Sequence, residues 1–217
     1  MTPKSSSGFF ISFEGGDGAG KSTQIKVLAK ALREAGREVV VTREPGGSPG
    51  AEAIRKLLLE GEADKWSPLT EALLMYASRA DHLERTIVPA LARGAVVITD
   101  RFADSSMAYQ GLAGELGEEA VSTLYKLVVG AQGPDLTFIL DLAVDEGLKR
   151  SGSTGDTEQR FESKGSAYQE KVRQAFLEIA KREPDRCAVI SADGEIMDVA
   201  ARIGAVIQAR FPKLLNR

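Results

Sequence analysis

Eight residues near the start of the chain, from Gly15 to Ser22, constrain the fold more than any other feature of the sequence. They read Gly-Gly-Asp-Gly-Ala-Gly-Lys-Ser and satisfy the G-x-x-x-x-G-K-[ST] pattern of a phosphate-binding loop. The apolar run Phe9–Phe13 precedes them and a helical pattern, Lys21–Ala35, follows, which is the context that the pattern requires. The sequence therefore predicts that a polyphosphate binds where a first strand passes into a first helix.

Each residue type in this loop has a chemical reason to be there. Glycines let backbone N–H groups point at an anion without obstruction by a Cβ atom. The positive end of a helix that begins near Lys21 points at the same anion. We expect Lys21 to place its charge on the β- and γ-phosphate oxygens, and Ser22 to bind Mg²⁺ through its hydroxyl. The predicted nucleotide-binding residues are Gly15, Gly16, Asp17, Gly18, Ala19, Gly20, Lys21, Ser22 and Thr23.

Short apolar runs alternate with longer segments of helical periodicity along the rest of the chain. The predicted strands are Phe9–Phe13, Glu38–Thr42, Ala95–Thr99, Leu136–Asp141 and Cys187–Ile190. The predicted helices are Lys21–Ala35, Ala51–Leu59, Pro68–Leu91, Glu118–Val129, Val144–Lys149, Ser166–Lys181 and Ile196–Phe211. This alternation predicts the α/β class, with a five-stranded parallel sheet and helices on both faces. We expect a single P-loop domain over residues 1–217, with ligands beyond the carboxyl ends of the strands.

Composition narrows the classes of function. Lys and Arg total 28 against 31 Asp and Glu, so the net charge of -3 argues against a general nucleic-acid binder. Cys187 is the only cysteine, which rules out an internal disulfide and a cysteine metal cluster, and which fits a reducing, cytoplasmic setting. No stretch approaches the roughly 20 apolar residues of a membrane span, so no membrane partner is expected.

A second element supports the phosphate-binding loop. The apolar segment Val96–Thr99 ends in Asp100, where P-loop proteins place a carboxylate near the metal ion. Together with Ser22, Asp100 is therefore a candidate Mg²⁺ ligand. Arg101 follows directly, and an arginine here suits the charge that develops on a transferred phosphoryl group. The alternative for Arg101 is a structural ion pair with Asp100 or another neighbour.

The motifs that carry a family resemblance are spread over most of the chain. They are Phe13 to Thr23, Thr42-Arg43-Glu44-Pro45-Gly46-Gly47, Asp100-Arg101-Phe102 with Ser105 and Ala108-Tyr109-Gln110, and Gln159-Arg160-Phe161-Glu162. In order and spacing, from Phe10 to about Ile203, they resemble the thymidylate kinase family, nucleoside monophosphate kinases that convert dTMP to dTDP with ATP. Nothing in the chain reads as the Asn-Lys-x-Asp guanine signature of GTPases.

The resemblance implies a site for dTMP beside the ATP site. The residues that it assigns to dTMP are Asp17, Arg43, Met75, Arg79, Arg101, Ser105 and Tyr109. Asp17 would reach the 3′-hydroxyl region of the nucleotide, which accounts for a carboxylate inside a phosphate-binding loop. Arg43 and Arg101 would hold the acceptor phosphate.

The resemblance implies that the remaining residues of this set bind the base and the sugar of dTMP. By resemblance, Arg79 donates to a thymine carbonyl, Ser105 faces the pyrimidine edge, and Tyr109 crowds the 2′ carbon and so favours deoxyribose. The family usually has a phenylalanine stacked on the base where this chain has Met75, whose polarizable sulfur can lie against a ring. Burial of Met75 or Tyr109 in the core is the alternative for each.

The resemblance also implies a lid at about residues 150–162. Gly18 stands where some relatives carry a P-loop arginine, so the chain resembles the bacterial type, which supplies arginines from the lid. Arg150 and Arg160 are the candidates and join Lys21 and Arg101 in the expected catalytic set, because a mobile arginine can close over the γ-phosphate. Solvated charge at a helix end is the alternative for Arg150.

Two further expectations concern the neighbourhood of this site. The Glu44–Pro45 bond looks like the cis peptide bond of the family, with a trans turn proline as the alternative. His82, the lone histidine, is expected at the surface or in an interface rather than as a catalytic base. The acceptor phosphate already carries its negative charge, so no general base is needed.

The expected reaction is in-line transfer of the ATP γ-phosphoryl group to dTMP with Mg²⁺, carried out by a homodimer as in the family. One alternative is a kinase for a different nucleoside monophosphate, which Met75 leaves open. The other is an ATP-dependent switch that transfers no phosphate to a small molecule. Such a switch would have no use for the residues assigned to an acceptor, which are Asp17, Arg43, Arg79 and Tyr109.

Overall fold

The computed structural model describes residues 8–62, 65–151 and 165–215. Its strands are β1 (Phe9–Gly15), β2 (Val39–Arg43), β3 (Val96–Asp100), β4 (Leu136–Asp141) and β5 (Cys187–Ser191). They form a five-stranded sheet in the order β2-β3-β1-β4-β5, and every neighbouring pair is parallel. The predicted parallel sheet is therefore confirmed.

Helices connect the strands in the crossover manner that a parallel sheet requires. The helices are Lys21–Glu34, Pro49–Leu59, Pro68–His82, Val88–Ala92, Ala103–Ser106, Glu118–Val128, Val144–Ser151, Ser166–Arg182 and Ile196–Arg210. Two π-helical turns, Leu83–Ile87 and Met107–Leu112, and a 3₁₀ turn, Pro212–Leu214, complete the described elements. In the described part of the chain, no helix has the length and apolar composition needed to cross a membrane.

Helices cover both faces of the sheet, as the sequence predicts. Side chains alternate along a strand, so Ile11 of β1 faces one side and packs with Leu28 and Ile203 of the first and last long helices. Phe10 faces the other side and packs with Tyr76 of the helix Pro68–His82. Burial of these apolar faces supplies the main favourable free energy of folding.

The long helix predicted over Pro68–Leu91 is interrupted. Its α-helical part ends at His82, and the N–H of Val88 donates to the carbonyl of Leu83 in the wider spacing of a π-helical turn. Pro89 explains the interruption, because its ring lacks an N–H and would collide with the carbonyl four residues earlier. The helical segment from Ala103 to Leu112 is absent from the predicted elements.

The strand register brings the ends of the central strands together. Asp100 of β3 pairs with Phe13 of β1 on one side and with Arg43 of β2 on the other. The residues that follow β1 and β3, beginning at Gly16 and Arg101, therefore emerge side by side at the carboxyl edge of the sheet. This edge is where a sheet of this kind binds its ligands.

Candidate active site

The phosphate-binding loop joins β1 to the helix Lys21–Glu34. Gly20 precedes the helix with a φ of 86°, a left-handed conformation that favours glycine, and it brings no side chain to cap the helix. The first turn carries no acidic residue, so the positive end of the helix faces the cleft. This arrangement suits the binding of an anion.

A large cleft of about 1610 Å³ lies over this loop. It is lined by the predicted nucleotide-binding residues from Asp17 to Thr23, whereas Gly15 and Gly16 line a smaller neighbouring cleft. Lys21 is mostly buried, and its Nζ donates to the carbonyl oxygens of Gly15 at 3.1 Å and Gly16 at 2.8 Å. The lysine thus lies along the loop, with its charge beside the predicted phosphate position.

The two candidate metal ligands lie together. Ser22 Oγ donates to Asp100 Oδ2 at 2.7 Å, so one hydroxyl and one carboxylate meet at the foot of the loop. In the described residues there is no cluster of three His, Cys, Asp or Glu side chains suited to a metal ion. Mg²⁺ is usually held by one or two carboxylates together with water and substrate phosphates, so this oxygen pair fits that ion.

Arg101 bridges the loop and the segment after β3. Its Nη2 forms an ion pair with Asp17, and its Nη1 donates to Gly15 O at 3.1 Å and to Ser105 Oγ at 3.2 Å. The structural-pair alternative for Arg101 therefore has Asp17, not Asp100, as its partner. Burial acts to raise the pKa of Asp17, but the charges of Arg101 and Lys21 outweigh it, and the pKa lies below its usual value.

A second cleft, of about 490 Å³, opens on the other side of Asp17 and Arg101. Its walls bring together every residue that the resemblance assigns to dTMP except Arg43. Arg43 lines the phosphate-loop cleft instead, where its half-exposed side chain pairs with Glu52 at 3.2 Å. Arg55, which the sequence reasoning missed, lines the same cleft and donates to Pro45 O at 2.7 Å.

Arg79 is buried in the wall of the second cleft, with only 2% of its surface exposed. Its Nε donates to Glu44 Oε2 at 2.8 Å, its Nη1 to Ser106 Oγ at 3.2 Å and its Nη2 to Phe102 O at 3.1 Å. The guanidinium also lies over the ring of Tyr76, 4.6 Å from its centroid. These contacts fix one orientation for the predicted base-binding arginine.

His82 is fully buried, so its expected surface position is wrong. It contacts Glu44 Oε1 through Nδ1 at 3.0 Å and Thr42 Oγ1 through Nε2 at 2.7 Å. The side of the helix that looks polar in the sequence packs against the end of β2 and the loop after it. Helical periodicity therefore predicts an exposed histidine where the structure has a buried one. The Glu44–Pro45 bond in that loop is cis, as the resemblance implies.

Met75 and Tyr109 both line the second cleft and also pack against the core. The ring of Tyr109 lies 6.2 Å from that of Phe176 and 5.3 Å from the Arg101 guanidinium. Ser105 lines the second cleft and donates its hydroxyl to Glu14, whereas Ser106 accepts from Arg79. The assignment of Ser105 to the pyrimidine edge stays a prediction, and no sequence signal separated it from Ser106.

The lid is only partly described. Arg150 lines the phosphate-loop cleft from the helix Val144–Ser151 and contacts Glu146 Oε1 at 3.1 Å and Ala192 O at 3.3 Å. Arg160, the other candidate, lies outside the described residues. The roles of both arginines stay predictions.

Three polar residues of the second cleft were missed at the sequence level. Glu44 holds Arg79, Ser106 accepts from it, and Gln110 donates to Glu71 Oε1 at 2.9 Å. Each stands next to or within a motif that carried the family resemblance, and that adjacency was the one available signal.

Comparison with known proteins agrees with the family resemblance of the sequence motifs over nearly the whole chain. The family model for thymidylate kinase matches residues 13–203. This chain belongs to the thymidylate kinase family. It is therefore a nucleoside monophosphate kinase.

Relatives within the thymidylate kinase family align over almost their full length. The thymidylate kinase of Caulobacter vibrioides is 59% identical over 204 residues, which span 94% of this chain and 98% of the relative. That of Ruegeria pomeroyi is 50% identical over 204 residues, spanning 94% and 96%. A crystal structure of thymidylate kinase from Ehrlichia chaffeensis matches with a TM-score of 0.74 at 35% identity, covering 93% of this chain and 99% of the other.

Proposed function

We propose that this chain transfers the γ-phosphoryl group of ATP to dTMP and forms dTDP with the help of Mg²⁺. The observation that supports this most directly is that Asp17 and Arg101 line both clefts. A donor phosphate above the loop and an acceptor in the second cleft would meet across this pair. Placing two reactants at such close range supplies much of the catalysis in phosphoryl transfer.

The donor site is built from backbone and cations. The N-terminus of the helix Lys21–Glu34 and the Lys21 ammonium face the cleft and would balance the charge of the β- and γ-phosphates. Ser22 and Asp100 would hold Mg²⁺, which neutralises phosphate charge when it is bound.

The acceptor site combines apolar and polar groups in a manner suited to a nucleoside monophosphate. Met75 and Tyr109 supply apolar surface for a ring and a sugar, and Arg79 supplies a fixed donor. Gln110 adds an amide to the same wall. We assign the base to this end of the cleft and the acceptor phosphate to the end at Arg101.

Cations close the site around the transferring group. Arg101 stands at the junction of the two clefts, where it would stabilise charge as the phosphoryl group moves. We assign a supporting role to Arg150 and Arg160 in a lid at residues 150–162, which would exclude water as it closes. Arg43 and Arg55, at the mouth of the phosphate-loop cleft, would complete the positive surround.

The direct test is conversion of dTMP to dTDP, followed by chromatography, in the presence of ATP and Mg²⁺. The parent protein should form dTDP, and Lys21→Ala should lose at least about a hundredfold in rate because it removes the phosphate-binding charge. Lys30→Ala is the matched control, since Lys30 lies on the same helix and its exposed ammonium lies 3.9 Å from Glu34 Oε1. ATP hydrolysis without any dependence on dTMP would favour a switch instead.

We further propose that the chain acts as one domain over residues 1–217, paired as a homodimer in the reducing cytoplasm. Leu69 and Leu73, about half exposed one helical turn apart on the helix Pro68–His82, offer an apolar strip to a second copy. Cys187 is a buried thiol, which suits a reducing compartment. Sedimentation equilibrium should give twice the chain mass for the parent and a single chain mass for Leu73→Lys.

A further inference from the structure

Glu14 is a buried carboxylate that the proposed chemistry does not use. It is the residue of β1 that precedes the loop glycines, and none of its surface is exposed. It is absent from the walls of the described clefts, so it has no direct path to either substrate. Burying a carboxylate is costly unless hydrogen bonds compensate for the lost water, so its position calls for a reason.

Both oxygens of Glu14 accept hydrogen bonds from one short segment. Oε1 accepts from the N–H of Phe102 at 2.8 Å, and Oε2 accepts from the hydroxyl of Ser105 at 2.6 Å. Glu14 therefore ties the segment after β3 to the strand that carries the phosphate-binding loop.

The segment that Glu14 holds contains Arg101 in an unusual backbone conformation. Among the residues that the structure describes, Arg101 is the one non-glycine residue with a positive φ, at 65°. Such a conformation is unfavourable for a residue with a Cβ atom, so surrounding contacts must impose it. The N–H of Arg101 donates to Phe13 O at 2.9 Å, and the next N–H, of Phe102, donates to Glu14.

The side chain of Arg101 depends on the same anchor. Ser105 Oγ donates to Glu14 and accepts from Arg101 Nη1 at 3.2 Å. The chain of contacts thus runs from Glu14 through Ser105 to the guanidinium, which then reaches Asp17 at the junction of the two clefts. The charged groups near Glu14 include the negative Asp104 and the positive Arg101 and Arg79.

We infer that Glu14 is a positioning residue for Arg101: it holds the backbone turn through the Phe102 amide and orients the guanidinium through Ser105 for phosphoryl transfer. This inference rests on the proposed function. Loss of Glu14 would shift the Arg101 guanidinium from its position but would leave its charge in the site. Rate should therefore suffer more than substrate affinity, because orientation matters most in the transition state.

A double-mutant cycle with Glu14→Gln and Arg101→Ala tests the inference. The glutamine amide keeps the shape of the side chain but loses the negative charge and one acceptor oxygen. In the parent background we expect kcat for dTMP phosphorylation to fall by about tenfold or more, with the KM for ATP changed by less than about threefold. In the Arg101→Ala background the same substitution should change kcat by less than about twofold, since the residue it positions is gone.

Ser12→Ala is the matched control. Ser12 lies on the same strand and the same side of the sheet, is equally buried, and bonds Thr137 rather than the Arg101 segment. It should leave kcat within about twofold of the parent, and its effect should simply add to that of Arg101→Ala. Urea unfolding of every variant tests whether each is fully folded under the conditions of the assay.

Ser105→Ala provides a second route if Glu14→Gln fails to fold. It breaks the link to the guanidinium and leaves the Phe102 contact of Glu14 in place, so a smaller fall in kcat that again disappears in the Arg101→Ala background is expected. Equal losses in both backgrounds, or no loss in the parent background, would overturn the inference. Failure of the parent protein to phosphorylate dTMP would overturn the proposed function instead, so the two failures are distinguishable.

Discussion

Gly18 and Gly147 meet backbone to backbone, so closely that a Cβ atom on Gly18 would lie 2.0 Å from the carbonyl oxygen of Gly147. The reverse contact is also tight, since a Cβ atom on Gly147 would lie 2.6 Å from Asp17 O. The phosphate-binding loop therefore packs directly on the helix Val144–Ser151, which carries Arg150. Movement of that helix and the shape of the loop are coupled through this contact.

Gly147→Ala is expected to disturb the donor site. The added methyl group must push the loop at Asp17, because the atom that it meets is backbone and has little freedom to move. We expect kcat/KM for ATP to fall by about tenfold, measured by steady-state kinetics at saturating dTMP.

Gly204→Ala is the control for that substitution. Gly204 is also a helical glycine, but a Cβ atom there would meet nothing within 4 Å. Activity should be unchanged, and the variant should be more stable by up to about 1 kcal/mol because alanine favours a helix. Equal activity of the two variants would show that the Gly18–Gly147 contact does not shape the donor site.

Ser22→Ala should raise the requirement for Mg²⁺. The change removes the hydroxyl that contacts Asp100 at 2.7 Å and with it one proposed metal ligand. We expect the Mg²⁺ concentration for half-maximal rate to rise by about tenfold, and a chelator to abolish activity in every variant. Thr123→Ala, which removes an exposed hydroxyl that donates to Glu119 O, should leave the Mg²⁺ titration unchanged.

Met75→Phe should strengthen acceptor binding. A phenyl ring at this place in the cleft wall can stack on a pyrimidine, and aromatic pairs contribute about 0.5–1.5 kcal/mol beyond the area that they bury. The KM for dTMP should fall by about twofold to tenfold with little change in the KM for ATP. Met197→Phe, at an exposed methionine outside the clefts, should alter neither constant. An unchanged or higher KM for dTMP in Met75→Phe would place the base elsewhere.

Stability should depend on pH through Glu14. Burial, with a further contribution from Asp104, raises the pKa of this carboxyl from 4.5 to about 7. The folded state thus favours the protonated form, and the stability that this gives is complete below about pH 4.5 and is lost as the pH rises through 7. Glutamine stays neutral throughout that window.

The corresponding measurement is urea unfolding of the parent and of Glu14→Gln at pH 4.5 and pH 8. The free energy of unfolding of the variant, relative to the parent, should rise by up to about 3 kcal/mol between the two pH values. Ser12→Ala carries no titrating group, so its difference from the parent should stay constant. A constant difference for Glu14→Gln as well would show that Glu14 ionises in the folded protein as it does in the unfolded chain.

Much of this fold follows from local patterns. The five strands are short apolar runs, and the loop glycines and Lys21 have the spacing of a phosphate-binding loop. The resemblance assigns Asp17, Met75 and Arg79 to dTMP, and all three line the second cleft. These features depend on residues near one another in sequence, or on motifs whose order matches a family.

The remainder depends on contacts between distant segments. His82 has the periodic position of a surface residue, yet it is buried because Thr42 of β2 and Glu44 of the loop after that strand contact its ring. Glu14 ended an apolar run and carried no motif role of its own, and its partners lie 88 and 91 residues away. Periodicity within a helix or strand cannot predict such pairings, because it carries no information on which loop packs against it.

A comparison of nucleoside monophosphates as phosphate acceptors tests most directly the claim that this protein phosphorylates dTMP. ADP release from ATP and Mg²⁺ is measured with dTMP, dUMP, dCMP and the ribonucleoside monophosphates offered in turn, and kcat/KM is compared among them. We predict a clear preference for dTMP, with Tyr109 disfavouring the ribonucleotides and Arg79 held in place for the base. Equal turnover of several acceptors, or a preference for one other than dTMP, would contradict the assignment of this cleft to thymidylate.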